Sequence, residues 1–341
     1  MQNFAFGRAR TISEAAGAAD LVADAMLAPD GGARSGGARV VKAGGIDLLD
    51  LMKEGLLAPA EVTSLADAPG LDAIAPTAEG GLRIGAMVTL ARLAADPVIR
   101  TRYAALAEAA GESASPQIRA VATLGGNLLQ RPRCWYFRSA AFRCLRKGGG
   151  HCYAISGENA YHAIFDNRFC AIAHPSTSAT ALIALAAEAE LVDGDGGNRR
   201  VALEDFFVGP DRDVQRENDL KPGEILTAIV LPPAAGKRMT HMKLAQKESF
   251  DWPLADVAVV LDLTEDARCR RASIVLGAAA PTPWRARAAE AVLNGEKVEP
   301  ELAAKAGKAA VDGATPLSAN AYKAPMFEAL VKRAILKAAA T

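Results

Sequence analysis

The sequence predicts a mixed α+β chain of two or three domains, and three observations carry the prediction. Its 341 residues exceed what a single hydrophobic core ordinarily serves. Apolar segments of strand period and helix period are interleaved along it. Breaks in pattern at the Gly- and Ala-rich stretch 28–37 and at Lys221-Pro222-Gly223 divide it, with regions expected at 1–57, 58–225 and 226–341.

The elements follow in order. Thr11 to Met26 has helical spacing with Ser13 placed as a cap, and Arg39 to Ala43 reads as a short buried strand. Asp47 to Lys53 reads as a helix with Leu48, Leu49, Leu51 and Met52 on its apolar side, stopping at Gly55. Leu82 to Val88 alternates like a strand, and Leu90 to Glu112 is largely helical. Phe169 to Ala173 is expected as a strand and Ser178 to Glu190 as a helix. Glu190-Leu191-Val192 and Arg200 to Leu203 flank Asp193-Gly194-Asp195-Gly196-Gly197, a hairpin signal. Val257 to Leu263 and Ala272 to Gly277 are strands joined by a charged turn. Helices follow near Trp284 to Leu293, Pro300 to Asp312 and Tyr322 to Ala340.

Composition excludes several function classes. Lys and Arg total 39 and Asp and Glu total 39, so no net charge draws the chain to nucleic acid or an anionic surface. The most apolar run, Ala179 to Ala187, is too short to span a bilayer and is followed by Glu188 and Glu190, so membrane insertion is not expected. The first residues lack a basic region followed by an apolar stretch. A cytoplasmic location is expected, or a periplasmic one reached with a partner's export signal. Five cysteines in a chain of this length do not make a disulfide scaffold, and Cys269, between Arg268 and Arg270, reads as a plain strand or turn residue.

Two glycine doublets carry chemistry. One lies in Val40-Val41-Lys42-Ala43-Gly44-Gly45-Ile46-Asp47-Leu48, a strand, a doublet and a helix start; the other lies in Ala122-Thr123-Leu124-Gly125-Gly126-Asn127. Such loops let backbone N–H groups approach a diphosphate with no side chain in the way. Neither is a G-x-G-x-x-G fingerprint or a Walker loop. Cys134, Cys144, Cys152 and Cys170 then fall within one stretch, with His151, His162 and His174 nearby. Irregularly spaced thiolates suit an iron–sulfur cluster, a zinc site of three Cys and one His, or unliganded thiols alike. Arg131, Arg133, Arg138, Arg143, Arg146 and Lys147 could offset the charge of a thiolate-bound cluster, form a solvated surface, or contact nucleic acid beside Trp135, Tyr136 and Phe137.

Ala43 to Lys53 resembles the first flavin loop of the FAD-binding subunits of the xanthine oxidase family, and Ile118 to Asn127 resembles their second. Ile84-Gly85-Ala86, His174-Pro175-Ser176, Gly223 to Leu226, Asp251 to Ala255 and Ala280 to Ala286 are similar to further family segments, in family order over nearly the whole chain. The resemblance implies a two-subdomain FAD-binding domain of the vanillyl-alcohol oxidase type followed by a smaller α+β domain. It implies a medium subunit beside a large molybdenum-cofactor subunit and a small subunit carrying two [2Fe-2S] clusters. The insertion at about 130–170, with Cys134-Trp135-Tyr136-Phe137-Arg138 and Gly150 to Ile155, resembles the [4Fe-4S]-bearing insertion of the bacterial aldehyde oxidoreductases of the family.

By that resemblance FAD lies between the first two regions, against Val40 to Leu48 and Thr123, Gly126 and Asn127, with Leu226 near its ring system and Lys243 hydrogen-bonded to it. Thr177 stands where the family often has aspartate after His-Pro-Ser, so the flavin's field loses a charge there. Cys134, Cys144, Cys152 and Cys170 are the implied cluster ligands. The implied function is electron transfer from the small subunit's clusters through FAD to an external acceptor in an aldehyde-oxidising complex. A free-standing flavin oxidase and a zinc-stabilised nucleic-acid-binding module are the rival readings.

Overall fold

The computed structural model describes residues 1–27, 37–247 and 250–340. The linker expected at 28–37 therefore lies, apart from Gly37, outside the described residues. Among the described residues the strands form three sheets.

The first sheet joins β1 (Ala5–Arg8), β2 (Arg39–Lys42) and β3 (Glu61–Ser64), with β3 central and both neighbours parallel to it. Parallel neighbours need a crossover. The helix Ile46–Lys53 supplies it between β2 and β3, burying Leu51 and Met52 against Val40 and Val62. The N-terminal helix is only Ile12–Ala16, not the long one expected to Met26, and its cap is Thr11, whose hydroxyl accepts from the Glu14 amide. Five residues are a single turn and a half, and the chain beyond turns away at Gly17.

The second sheet contains β4 (Ile74–Pro76), β5 (Leu82–Gly85), β6 (Glu188–Asp193), β7 (Asn198–Ala202) and β8 (Glu224–Leu231), in the order β4-β5-β8-β6-β7 and antiparallel throughout. The expected boundary at 225 falls inside β8, and the one at 57 falls before β3, so each sheet runs past the residue assigned to its end. The helical stretch Leu90 to Glu112 is three helices, Leu90–Ala95, Pro97–Arg102 and Ala104–Gly111. Asp96 caps the second through the amides of Val98 and Ile99, and Pro97 starts it, which is why the run breaks there. Thr177–Ala184 is helical, as the apolar run predicts, but ends at Leu185 with Ala186 at a φ of 56°, so Glu188 and Glu190 enter β6. Phe169 to Ala173 is not a strand: it passes Cys170 and Ala171 through the core without sheet pairing.

The third sheet is the antiparallel order β12-β11-β10-β9, from β9 (Lys237–Ala245), β10 (Pro253–Leu263), β11 (Cys269–Gly277) and β12 (Trp284–Arg285). Helices Arg287–Leu293, Pro300–Ala309 and Lys323–Ala340 cover one face, where Phe327, Leu330, Val331 and Ala334 meet Val257, Val259 and Leu261. Cys269 lies buried in β11. No helix among the described residues is long and apolar enough to cross a membrane.

Candidate functional site

A cleft of about 490 Å³ opens where the first two sheets and β9 converge. Both glycine loops line it, with Ser113, Ala114, Ser115, Thr177, Leu226, Lys243 and Trp252 at the side nearest the third sheet. Val41 to Leu48, Thr123, Gly126 and Asn127 all border the space; Val40 does not, being fully buried in the core of the first sheet.

The two loops differ in what they offer. The helix Ile46–Lys53 starts after Gly45, which has a φ of 82° and no side-chain cap. Among the described residues, the amides from Gly44 to Leu48 find no acceptor. An uncapped helix start with free N–H groups favours an anion. The second loop has no such surplus: Thr123 Oγ1 takes the Gly126 amide, Ala86 takes Gly125 and Thr123 O takes Asn127. Its task is packing. A Cβ on Gly44 would stand 2.2 Å from the Val121 carbonyl oxygen, so that glycine lets the loops touch. Unpaired amides on the wall of a cleft of ligand size suit a dinucleotide diphosphate.

Around the far end, Thr177 Oγ1 meets Ser113 Oγ at 2.6 Å, and Lys243 Nζ donates to the Glu112 carbonyl at 2.9 Å. Burial lowers the Lys243 pKa. Asn127 Oδ1 accepts from Ser176 Oγ at 2.6 Å. Asp47 is committed elsewhere: its carboxylate accepts the Arg131 amide at 2.8 Å and pairs with Arg138 at 2.6 Å and Arg133 at 2.9 Å. It docks the cysteine-bearing insertion onto the first glycine loop.

The four cysteines converge. Cys134, Cys144, Cys152 and Cys170 line one cavity of about 10 Å³ with Tyr136, Phe137, Arg146 and His162. The donor set is that of a thiolate-bound centre. Yet among the described residues no three His, Cys, Asp or Glu side chains stand close enough to hold a single metal ion. His162 Nε2 lies 3.2 Å from Cys134 Sγ, and burial drops its pKa to about 4. Burial raises Cys134 to about 12, whereas a hydrogen bond from Cys152, with Arg146 beside it, holds Cys170 below its ordinary value. His151 is exposed against Tyr153, and His174 packs on Phe207, so of the neighbouring histidines only His162 reaches the thiols.

Sequence reasoning missed three features. Arg131 and Arg146 are 3% and 2% exposed, and Glu217 joins them, accepting at Oε1 from Arg131 Nη2 (2.9 Å) and Arg146 Nη1 (2.6 Å). Trp252, half exposed, lies under Arg133, whose guanidinium carbon is 4.7 Å from the ring centroid, at the cleft mouth. The insertion is also clamped by the third region: Asn320 Nδ2 donates to the His162 and Ala163 carbonyls, and buried Lys323 to those of His162 and Ala278. The arginine-rich composition of the insertion and the family-like segment around Trp252 hinted at these residues, but not at their partners.

The chain is similar to known proteins along nearly its whole length. Residues 4–234 match the family described as the FAD binding domain in molybdopterin dehydrogenase, and residues 240–338 match the CO dehydrogenase flavoprotein C-terminal domain. The chain is 36% identical over 296 residues to the aldehyde oxidoreductase FAD-binding subunit PaoB of Escherichia coli (strain K12), covering 86% of this chain and 87% of that one. It is 29% identical over 300 residues to the carbon monoxide dehydrogenase medium chain of Hydrogenophaga pseudoflava, covering 86% of each. A solved carbon monoxide dehydrogenase of H. pseudoflava superposes with a TM-score of 0.73 at 27% identity, over 99% of this chain and 98% of that one. The chain therefore belongs to the FAD-binding subunits of the xanthine oxidase family of molybdenum hydroxylases, and is an oxidoreductase subunit.

Proposed function

We propose that this chain is the electron-transferring medium subunit of an aldehyde-oxidising molybdenum complex. It would receive electrons from a small subunit with two [2Fe-2S] clusters beside a large molybdenum-cofactor subunit. The observation that carries the reading is the cleft between the glycine loops, with the free amides from Gly44 to Leu48 on its wall. FAD supplies the redox chemistry when bound; the protein supplies its position and field.

In this reading those amides hold the diphosphate, and Thr123, Gly126 and Asn127 shape the opposite wall. Leu226 packs beside the ring system. Lys243, already tied to Glu112, presents its ammonium to the same end. Thr177 places a hydroxyl rather than a carboxylate there, so the site is less negative. The aldehyde substrate class rests on the PaoB relative and on the cysteine-bearing insertion.

Cys134, Cys144, Cys152 and Cys170 are proposed to hold one [4Fe-4S] cluster. Convergence of the four thiols on one cavity and the insertion's resemblance support it. A cluster is bulkier than a single ion, so its thiolates need not stand at single-ion spacing. It would order an insertion with little apolar core of its own.

Expression with its neighbouring subunits and purification by a tag on this chain test the reading. Co-purification of two further polypeptides, FAD released on acid precipitation and four iron atoms per cluster site (roughly, by stoichiometry of the cubane) are expected. Recovery of a monomer with covalently held flavin would argue for a free-standing oxidase. Zinc in place of iron would overturn the cluster assignment alone.

A further inference from the structure

Arg131 and Arg146 are buried cations that share one anion. Glu217 Oε1 accepts from both, while the Arg131 Nε and Nη1 groups find no hydrogen-bond partner and Arg146 turns to Cys170. Two charges against one leave a surplus positive charge inside the protein. Such a surplus is costly unless a further anion answers it. The triad also has two ends. Arg131 and Glu217 line the flavin cleft, whereas Arg146 lines the cysteine cavity and faces Cys170. Backbone carbonyls of Gln215 and Arg216 pin the two guanidinium groups, so the charges cannot swing away. The adjacent His174 stays neutral, since burial drops its pKa to about 3, and does not blur the balance.

We propose that the Arg131–Glu217–Arg146 triad electrostatically couples the two sites, so that the charge held in the cysteine cavity sets how strongly the cleft binds the anionic part of FAD. The inference rests on the reading that FAD occupies this cleft; it does not require the metal to be iron. The shared carboxylate is the coupling element. With both guanidinium groups held in place, the coupling acts through the field: negative charge in the cysteine cavity offsets Arg146, more of the Glu217 charge then acts on Arg131, and the cleft wall becomes less positive. Emptying that cavity of charge does the reverse. The relation is reciprocal, as any coupling of binding free energies must be.

The test uses the purified full complex, stripped of flavin and of metal, titrated with FAD and followed by flavin fluorescence. Gly45→Val first checks the cleft itself: unchanged FAD affinity there would sink the reading on which the inference rests. Arg146→Met removes a charge that does not line the cleft, leaves Glu217 wholly to Arg131, and should weaken FAD binding about tenfold. Glu217→Gln keeps an acceptor for both arginines but removes the negative charge, and should hold or tighten FAD. Opposite signs are the signature, because a triad that merely props the fold would weaken binding in both variants. In an Arg131→Met background, Arg146→Met should have no further effect. Arg131→Met should in turn alter the rate at which an aromatic disulfide reagent modifies the cavity thiols. Where Arg146→Met does not fold, Arg146→Gln removes the same charge. Shifts of one sign in Arg146→Met and Glu217→Gln, or an Arg146 effect that survives Arg131→Met, would overturn the coupling.

Discussion

Gly44 and Gly45 adjoin in sequence but answer to different constraints. Gly45 needs its left-handed φ of 82°, and a Cβ there would also meet Lys42 Cε at 2.6 Å. A β-branched residue at that φ costs roughly 1–3 kcal/mol. Gly45→Val is therefore expected to lower both melting temperature and flavin content, read from the ratio of flavin to protein absorbance. Gly44 is held by a neighbour instead, the Val121 carbonyl. Gly44→Ala should separate the two loops and reduce flavin content several-fold with a smaller change in melting; full occupancy would show that loop contact does not shape the cleft. At the cysteines, Cys144→Ser is expected to lose iron and loosen the insertion while FAD stays bound. Unchanged iron would remove Cys144 from the ligand set.

At the scale of elements, β9 is seated on the helix Ala104–Gly111 by a buried charge cluster. His241 is fully buried, with Nε2 3.2 Å from Asp256 Oδ1 and Nδ1 3.4 Å from Glu112 Oε2, and its amide donates to Glu108 Oε2 at 2.6 Å. Burial opposes the imidazolium, but hydrogen bonds and charges from Asp256 and Glu112 outweigh it and raise the pKa to about 9. A pKa raised on folding means stability that is complete below the unfolded value near 6.5 and lost as pH rises through about 9. With Glu112 half exposed, the effect is of order 2 kcal/mol. Melting temperature should accordingly fall between these pH values in the parent protein, and that slope should flatten in His241→Gln. An unaltered slope would place the titration elsewhere.

Across the whole molecule, the insertion is a joint rather than an appendage. Arg133 and Arg138 tie it to Asp47 and Asp50 of the helix Ile46–Lys53, Arg131 and Arg146 tie it to Glu217, and Asn320 and Lys323 tie it to the third region. Asn320 is fully buried, donates to the His162 and Ala163 carbonyls at 3.1 Å each, and accepts from the Leu317 amide at 2.7 Å. Asn320→Ala strands these groups and should cost about 2–4 kcal/mol. Protease cleavage within the insertion should rise in that variant. Cleavage confined to other loops would show that the insertion orders itself without the third region.

The sequence alone located the glycine loops, because a strand, a doublet and a helix start form a local object, and the family resemblance gave them their proposed flavin role. In the first loop all three lie within the nine residues Val40 to Leu48. Periodicity likewise determined β10, β11 and the helix Lys323–Ala340, whose apolar pattern is continuous. It misled where a short break outweighs a long pattern: Asp96-Pro97 split one helix, and the turn at Ala186 ended another before Glu188. The family resemblance, not spacing, grouped Cys134, Cys144, Cys152 and Cys170; their common cavity exists only because the insertion folds back between two other units. Only the tertiary structure decided that Asp47 docks the insertion, that Val40 faces the core, and that Arg131, Arg146 and Glu217 meet at all. Glu217 lies more than seventy residues from Arg146 along the chain. No local pattern marks a buried charge whose partners are that distant, since what selects it is the cost of leaving it unpaired inside the fold.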